Sequence, residues 1–162
     1  VLLTSNFVNY GVLNNVSIGG GFEFISMALG EPLWFFTPKL GFEVSDIVSV
    51  GGGVLTAGIG FSDVIALGYG VVTLGTDDSH VTLGTGYGGD VLVFLASGAH
   101  RVNESISILS ENYLIDNDVY FGIHGVRILS QKNTFDVGAI VVPDIMDVIP
   151  ALPYVGYSRA FN

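Results

Sequence analysis

The chain has 162 residues, of which 49% are hydrophobic and only 12% charged, with 23 glycines, no cysteine and a formal net charge of −10. A soluble domain carries roughly 25% charged residues, so this composition predicts an extensive apolar covering, and five basic residues without a patch exclude a nucleic-acid partner. No cysteine means no disulfide frame or thiolate metal site, and no uncharged apolar run reaches the ~18 residues of a transmembrane helix.

Residues 1–13 read as a first strand ending in VNYGVL, followed by Asn14-Asn15, a pair that tolerates positive φ in a tight turn. The return over 16–24 puts Val16, Ile18, Phe22 and Phe24 on one face and Ser17, Gly19, Gly21 and Glu23 on the other. After a loop at 26–33, the stretch WFFTPKLGFEVSDIVSVGGGVLTAG over 34–58 gives the clearest pattern. Trp34, Phe36, Leu40, Phe42 and Val44 oppose Phe35, Thr37, Lys39, Gly41 and Glu43; past Ser45-Asp46, Val48, Val50 and Val54 oppose Ser49, Gly51, Gly53 and Ala57. Period two means pleated strand, and each half matches the ~9–11 residues with which a tilted strand crosses a bilayer.

A loop at 58–63 precedes a strand over 64–75, which alternates through Ile65, Leu67, Tyr69 and Val71 and returns over 80–88. Further strands follow over 91–102, 105–114, 119–129, 134–142 and 152–161. Short polar turns alternate with connections that are mostly longer, the pattern of an outer-membrane barrel. Residues 1–162 are therefore expected to form a single all-β domain, an antiparallel up-and-down transmembrane β-barrel of about 10–12 strands. An even count is favoured, with the first strand's upstream partner preceding Val1. Such a barrel resides in the bacterial outer membrane. Its expected partners are outer-membrane lipid or lipopolysaccharide, and other outer-membrane proteins.

If the apolar faces meet lipid, charges collect inside. The expected inward set is Glu23, Lys39, Glu43, Arg101, Glu111, Arg127 and Asp136, paired as Lys39 with Glu23 or Glu43, Arg101 with Glu111, and Arg127 with Asp136. By parity Arg127 shares a face with Val119, Phe121 and Ile123, so a bulge near Gly125 is required to turn it inward. Structural pairing explains such charges more simply than a selectivity constriction does. Glycine is dense at positions taken as inward: Gly19, Gly21, Gly51, Gly53, Gly68, Gly70, Gly84 and Gly86. Bare wall of this kind lets large neighbouring side chains fit. Tyrosines and Trp34 near strand ends suit interfacial girdles.

Chemistry-bearing motifs are sparse. Gly84-Thr-Gly86-Tyr-Gly88-Gly89 matches a dinucleotide fingerprint in letters, but no helix follows it. Asp77-Asp78-Ser79-His80 gathers an acid, a hydroxyl and an imidazole in a hairpin turn, where Asp and Ser are favoured for backbone bonding alone. His80, His100 and His124 lie on three strands, and Asn15-Val-Ser17 and Asn103-Glu-Ser105 open turns. No catalytic residue, metal or cofactor is expected. A non-enzymatic barrel, either a small pore or a structural subunit of an envelope complex, is the leading reading. A soluble or secreted barrel with an apolar ligand inside is the alternative. A membrane hydrolase would need Ser or Asp within hydrogen-bond reach of a His.

VNYGVLNNVSIGGGFEF, EPLWFFTPKLGFEVSDIVSVGGGV and PYVGYSRAF, with LGYGVVTLG, VTLGTGYG and SENYLI between them, resemble a family of Bacteroidota outer-membrane β-barrel proteins. The resemblance covers most of the chain and implies a barrel with further strand sequence upstream. It transfers no catalytic residue. Gly156, Tyr157 and Phe161 resemble a C-terminal outer-membrane assembly signal, from which Arg159 and the final Asn162 depart.

Overall fold

A computed structural model describes residues 5–23, 30–60, 63–143 and 151–160. Eleven strands follow one another: β1 (Ser5–Leu13), β2 (Val16–Glu23), β3 (Leu33–Ser45), β4 (Val48–Ile59), β5 (Asp63–Thr76) and β6 (Ser79–Gly88), then β7 (Val91–Asn103), β8 (Ile106–Ile115), β9 (Val119–Ser130), β10 (Asn133–Val141) and β11 (Leu152–Arg159). They form a single sheet in chain order, and every neighbouring pair is antiparallel. The expected up-and-down fold is therefore present. Among the described residues the strand count is eleven, where an even number was expected, and no ladder joins β11 to β1.

The turns β1–β2, β3–β4, β5–β6, β7–β8 and β9–β10 cluster at one end of the sheet. The other end carries the remaining connections. Three of the short-turn hairpins bear a register shift just before the turn, at Gly11/Leu13, Glu43/Ser45 and Arg101/Asn103. A bulge increases local twist, and here it replaces positive φ at Asn14-Asn15: neither residue adopts it. Left-handed backbone occurs instead at Asp90, Asp116, Asn117 and Gln131, all in connections or turns, where Asp and Asn tolerate it.

There is no conventional core. Val142 is the sole buried apolar side chain among the described residues, and none of the large ones is fully buried. The sheet is instead a single curved layer, because residues of β3–β5 and β7–β9 line one common cavity. Register fixes which side chains share each face. The outer face carries Val8, Tyr10, Ile18, Phe36, Leu40, Phe42, Val50, Val72, Leu83, Phe94, Val126, Val137 and Val155, all exposed. Apolar surface exposed on this scale is far beyond the few hundred Å² usual for a soluble monomer.

Candidate functional site

The inner face divides chemically along the strands. Toward the short-turn end it is polar. Ser49, Thr73, Thr82, Ser97 and Glu111 occupy one row of the ladder, and the Thr73 and Thr82 hydroxyls meet at 2.8 Å. A cavity of about 810 Å³ reaches this zone and is bordered by Lys39, Glu43, Ser49, Tyr69 and Thr73.

Arg127 and Asp136 stand directly opposite each other on β9 and β10. The guanidinium donates from Nε to Oδ1 and from Nη2 to Oδ2, each at 2.8 Å, and the Tyr154 hydroxyl donates to Oδ2 at 3.3 Å. Asp136 is 9% exposed, so the bidentate pair and the tyrosine satisfy a carboxylate that water barely reaches. Glycine opposite Asp136, at Gly156, leaves room for this. A Cβ there would meet the Tyr154 hydroxyl at 2.7 Å.

Neither Arg101 with Glu111 nor Lys39 with Glu43 forms an ion pair. Arg101 binds Asp78 in the β5–β6 turn at 3.1 Å, because Glu111 lies opposite Ser97, four residues further along β7. Glu111 accepts the Tyr113 hydroxyl at 3.1 Å instead. Lys39 is paired in the ladders with Ser17 and Gly53 and Glu43 with Ser49, while the Glu23 backbone pairs with Ser5 at the far end of β2. Among the described residues Lys39 forms no ion pair.

Arg127 needs no bulge to face inward. The β8–β9 and β9–β10 ladders run unbroken through Gly125. Val119, Phe121 and Ile123 face inward with it, which reverses the expectation that their face was outward. The same reversal holds on β5. Gly68 and Gly70 pair with Val54 and Gly52 on the outer face, so Ile65, Leu67, Tyr69 and Val71 point inside. Their bulk lies over neighbouring glycine: a Cβ at Gly53 would meet the Tyr69 hydroxyl at 2.8 Å, one at Gly84 Val71 Cγ1 at 2.7 Å, and one at Gly86 Leu67 Cδ2 at 2.5 Å. Toward the long-connection end the inner wall is thus apolar, and it lines a half-open cavity of about 620 Å³.

The outer face has one polar patch that the strand patterns do not single out. Ser110 Oγ lies 3.0 Å from His124 Nδ1, Asn112 Nδ2 donates to Ser110 Oγ at 3.0 Å and to the Ala96 carbonyl at 3.0 Å, and the Tyr120 hydroxyl donates to Asn112 Oδ1 at 2.7 Å. His124 Nε2 is 3.3 Å from Tyr120. Because the Tyr120 proton serves Asn112, Nε2–H donates to Tyr120 and Nδ1 accepts from Ser110. Gly122 makes space for the link, since a Cβ there would meet Tyr120 Oη at 2.5 Å and His124 Nε2 at 2.8 Å. The signal was parity: Ser110 and Asn112 follow Ile106 and Ile108 on the same face of β8. Ser110 is within reach of a base, as a hydrolase requires. However, it sits mid-strand, where backbone N–H groups are held in the ladders and supply no oxyanion site.

Ser79 Oγ also meets His100 Nδ1 at 3.2 Å, while His80 Nδ1 lies 3.2 Å from the Thr76 carbonyl. His80 is on the inner face and His100 and His124 on the outer, which separates the three imidazoles. Gly84, Gly86 and Gly88 lie within β6, away from any helix. At the C-terminal end Tyr157 packs outward against Phe135 with ring centroids 5.0 Å apart and donates to Asn133 Oδ1 at 2.9 Å. Phe161 lies outside the described residues.

This arrangement has a counterpart among solved structures. The fold is similar to that of a KdgM porin. The TM-score is 0.75 over 98% of this chain and 91% of that one, at 12% sequence identity. The likeness is therefore in the curved antiparallel wall and not in the sequence. No protein-family profile and no curated protein matches the chain.

Proposed function

We propose that the chain forms an outer-membrane barrel wall that works as a narrow, porin-like pore rather than as an enzyme. The observation that supports this best is the sorting of side chains on a porin-like fold. Large apolar residues are exposed on one face, while Arg127, Asp136, Glu111, Lys39 and Glu43 share the other. A soluble ligand-binding barrel would carry the opposite sorting. Lipid or lipopolysaccharide would then cover the outer face, and neighbouring outer-membrane proteins would meet the exposed edges of β1 and β11. Planar-bilayer recording of the refolded protein tests the reading. Discrete conductance steps are expected. A folded protein that extracts only with detergent yet stays silent would instead make it a structural subunit, and the pore would be withdrawn.

A further inference from the structure

A wide aqueous pore needs polar walls throughout, and half of this inner face lacks them. The cavity of about 620 Å³ near the long-connection end is half open and is lined by Leu67, Leu95, Ile115, Phe121 and Ile123, with Tyr113 beside them. All six lie on inward positions of β5, β7, β8 and β9. Its size falls inside the ~300–1,000 Å³ of small-molecule sites. At roughly 30 Å³ per water-sized group, it takes an unbranched chain of a dozen or more carbons with room to bend. Tyr69 and Val71 line this cavity and the more mixed one of about 810 Å³ as well, so the two spaces adjoin. Lys39 borders the polar side in the ladder row of Gly53 and Tyr69. Arg101 and Arg127 are engaged by Asp78 and Asp136, which leaves Lys39 as the inward cation without a carboxylate partner among the described residues.

From this juxtaposition we infer that the inner face binds a single-chain anionic amphiphile. Its acyl chain lies among Leu67, Leu95, Ile115, Phe121 and Ile123, and its carboxylate is directed toward Lys39. The inference deepens the pore reading by naming the solute class that its wall favours, and it rests on that reading only for the direction of travel. Burial of the acyl chain against these apolar side chains supplies the affinity. The ammonium fixes orientation, because a fatty carboxylate dragged into the apolar half would lose its hydration without a partner. Glu43 on the same cavity disfavours a head carrying more than one negative charge.

The test uses the refolded full chain in lipid vesicles and a conjugated polyene fatty acid, whose fluorescence rises in apolar surroundings. Saturable binding at one site per chain is expected. Leu95→Glu should weaken it at least tenfold. Lys39→Gln should weaken the acid several-fold and leave its methyl ester unchanged. Val81→Thr, on the outer face, controls for general loss of packing. Each variant is accepted only if its heat-sensitive gel mobility shows a folded barrel. No saturable binding to the folded wild type, or equal binding by Leu95→Glu, overturns the site. Tighter binding of a long-chain amine than of the acid overturns the role of Lys39. Conductance measured in parallel separates the two claims. Steps without binding leave the pore and remove the amphiphile, while binding without steps does the reverse.

Discussion

At the residue scale, two polar clusters can be compared because they obey the same rule on opposite faces. Arg127 and Asp136 form a charged pair inside, and removing one partner strands the other. Arg127→Ala should destabilise the folded protein by about 2–3 kcal/mol, below the ~3–5 of a fully buried pair because the Arg127 side chain is 41% exposed. Urea unfolding in vesicles should show Arg127→Ala with Asp136→Ala to be less damaging than the sum of the single changes. The Ser110–Asn112–Tyr120–His124 network contains no carboxylate or guanidinium and faces outward. Asn112→Ala removes one acceptor and two donations at once and should cost about 1–3 kcal/mol. Replacing all four with apolar residues of similar size should cost less than Asn112→Ala alone, since no group is then left unsatisfied. A quadruple variant less stable than the single one would mean that the network contributes more than its own satisfaction.

At the element scale, sequence made the strands plain and their inner and outer faces only partly so. The hairpin of β3 and β4 was legible because Phe, Leu and Val alternate with Gly, Ser, Lys and Glu, so period two has an unambiguous sense. On β5 both faces are apolar or glycine. Ile65, Leu67, Tyr69 and Val71 have the signature of a lipid face, yet the ladder to Gly53 places them inside. The same ambiguity on β9 demanded a bulge at Gly125 that the ladder does not contain. Face identity propagates from strand to strand through register, which is a pairwise property that one strand's sequence does not carry. Arg127 and Asp136 pair as their sequence positions suggested, whereas the Arg101–Glu111 pairing fails for the same reason: the two share adjacent strands but not adjacent rungs. Glycine use supplies a test. A Cβ at Gly53 would meet the Pro38 carbonyl at 2.5 Å and the Tyr69 hydroxyl at 2.8 Å, while one at Gly41 finds its nearest atom at 3.8 Å. Gly53→Ala should therefore lower stability by about 1–3 kcal/mol through overpacking. Gly41→Ala should stay within about 0.5 kcal/mol of the wild type. Equal unfolding midpoints for the two would show that the β4 glycines serve no steric purpose.

At the scale of the whole molecule, a wall without a core must borrow its stability from what lies on either side. The outer face can lower its free energy only in an apolar solvent, and the inner face only around polar groups, water or a guest. On the outer-membrane proposal, neighbouring residues on one strand would sit in different solvents. Thr82 faces inward in the row of Thr73 and Ser97, whereas Leu83 faces outward beside Val72 and Ala96 and is 55% exposed. Arginine at a lipid-facing mid-wall position costs about 2–4 kcal/mol, while the same residue toward the interior is tolerated. Leu83→Arg should fold poorly into vesicles and shift the urea midpoint by that amount. Thr82→Arg, one residue away on β6, should fold with a far smaller shift and alter conductance instead. A soluble barrel makes the opposite forecast, with Leu83→Arg harmless in water and Thr82→Arg inserting a charge into its interior. The order of the two midpoints therefore decides which face meets lipid, whatever passes through the wall.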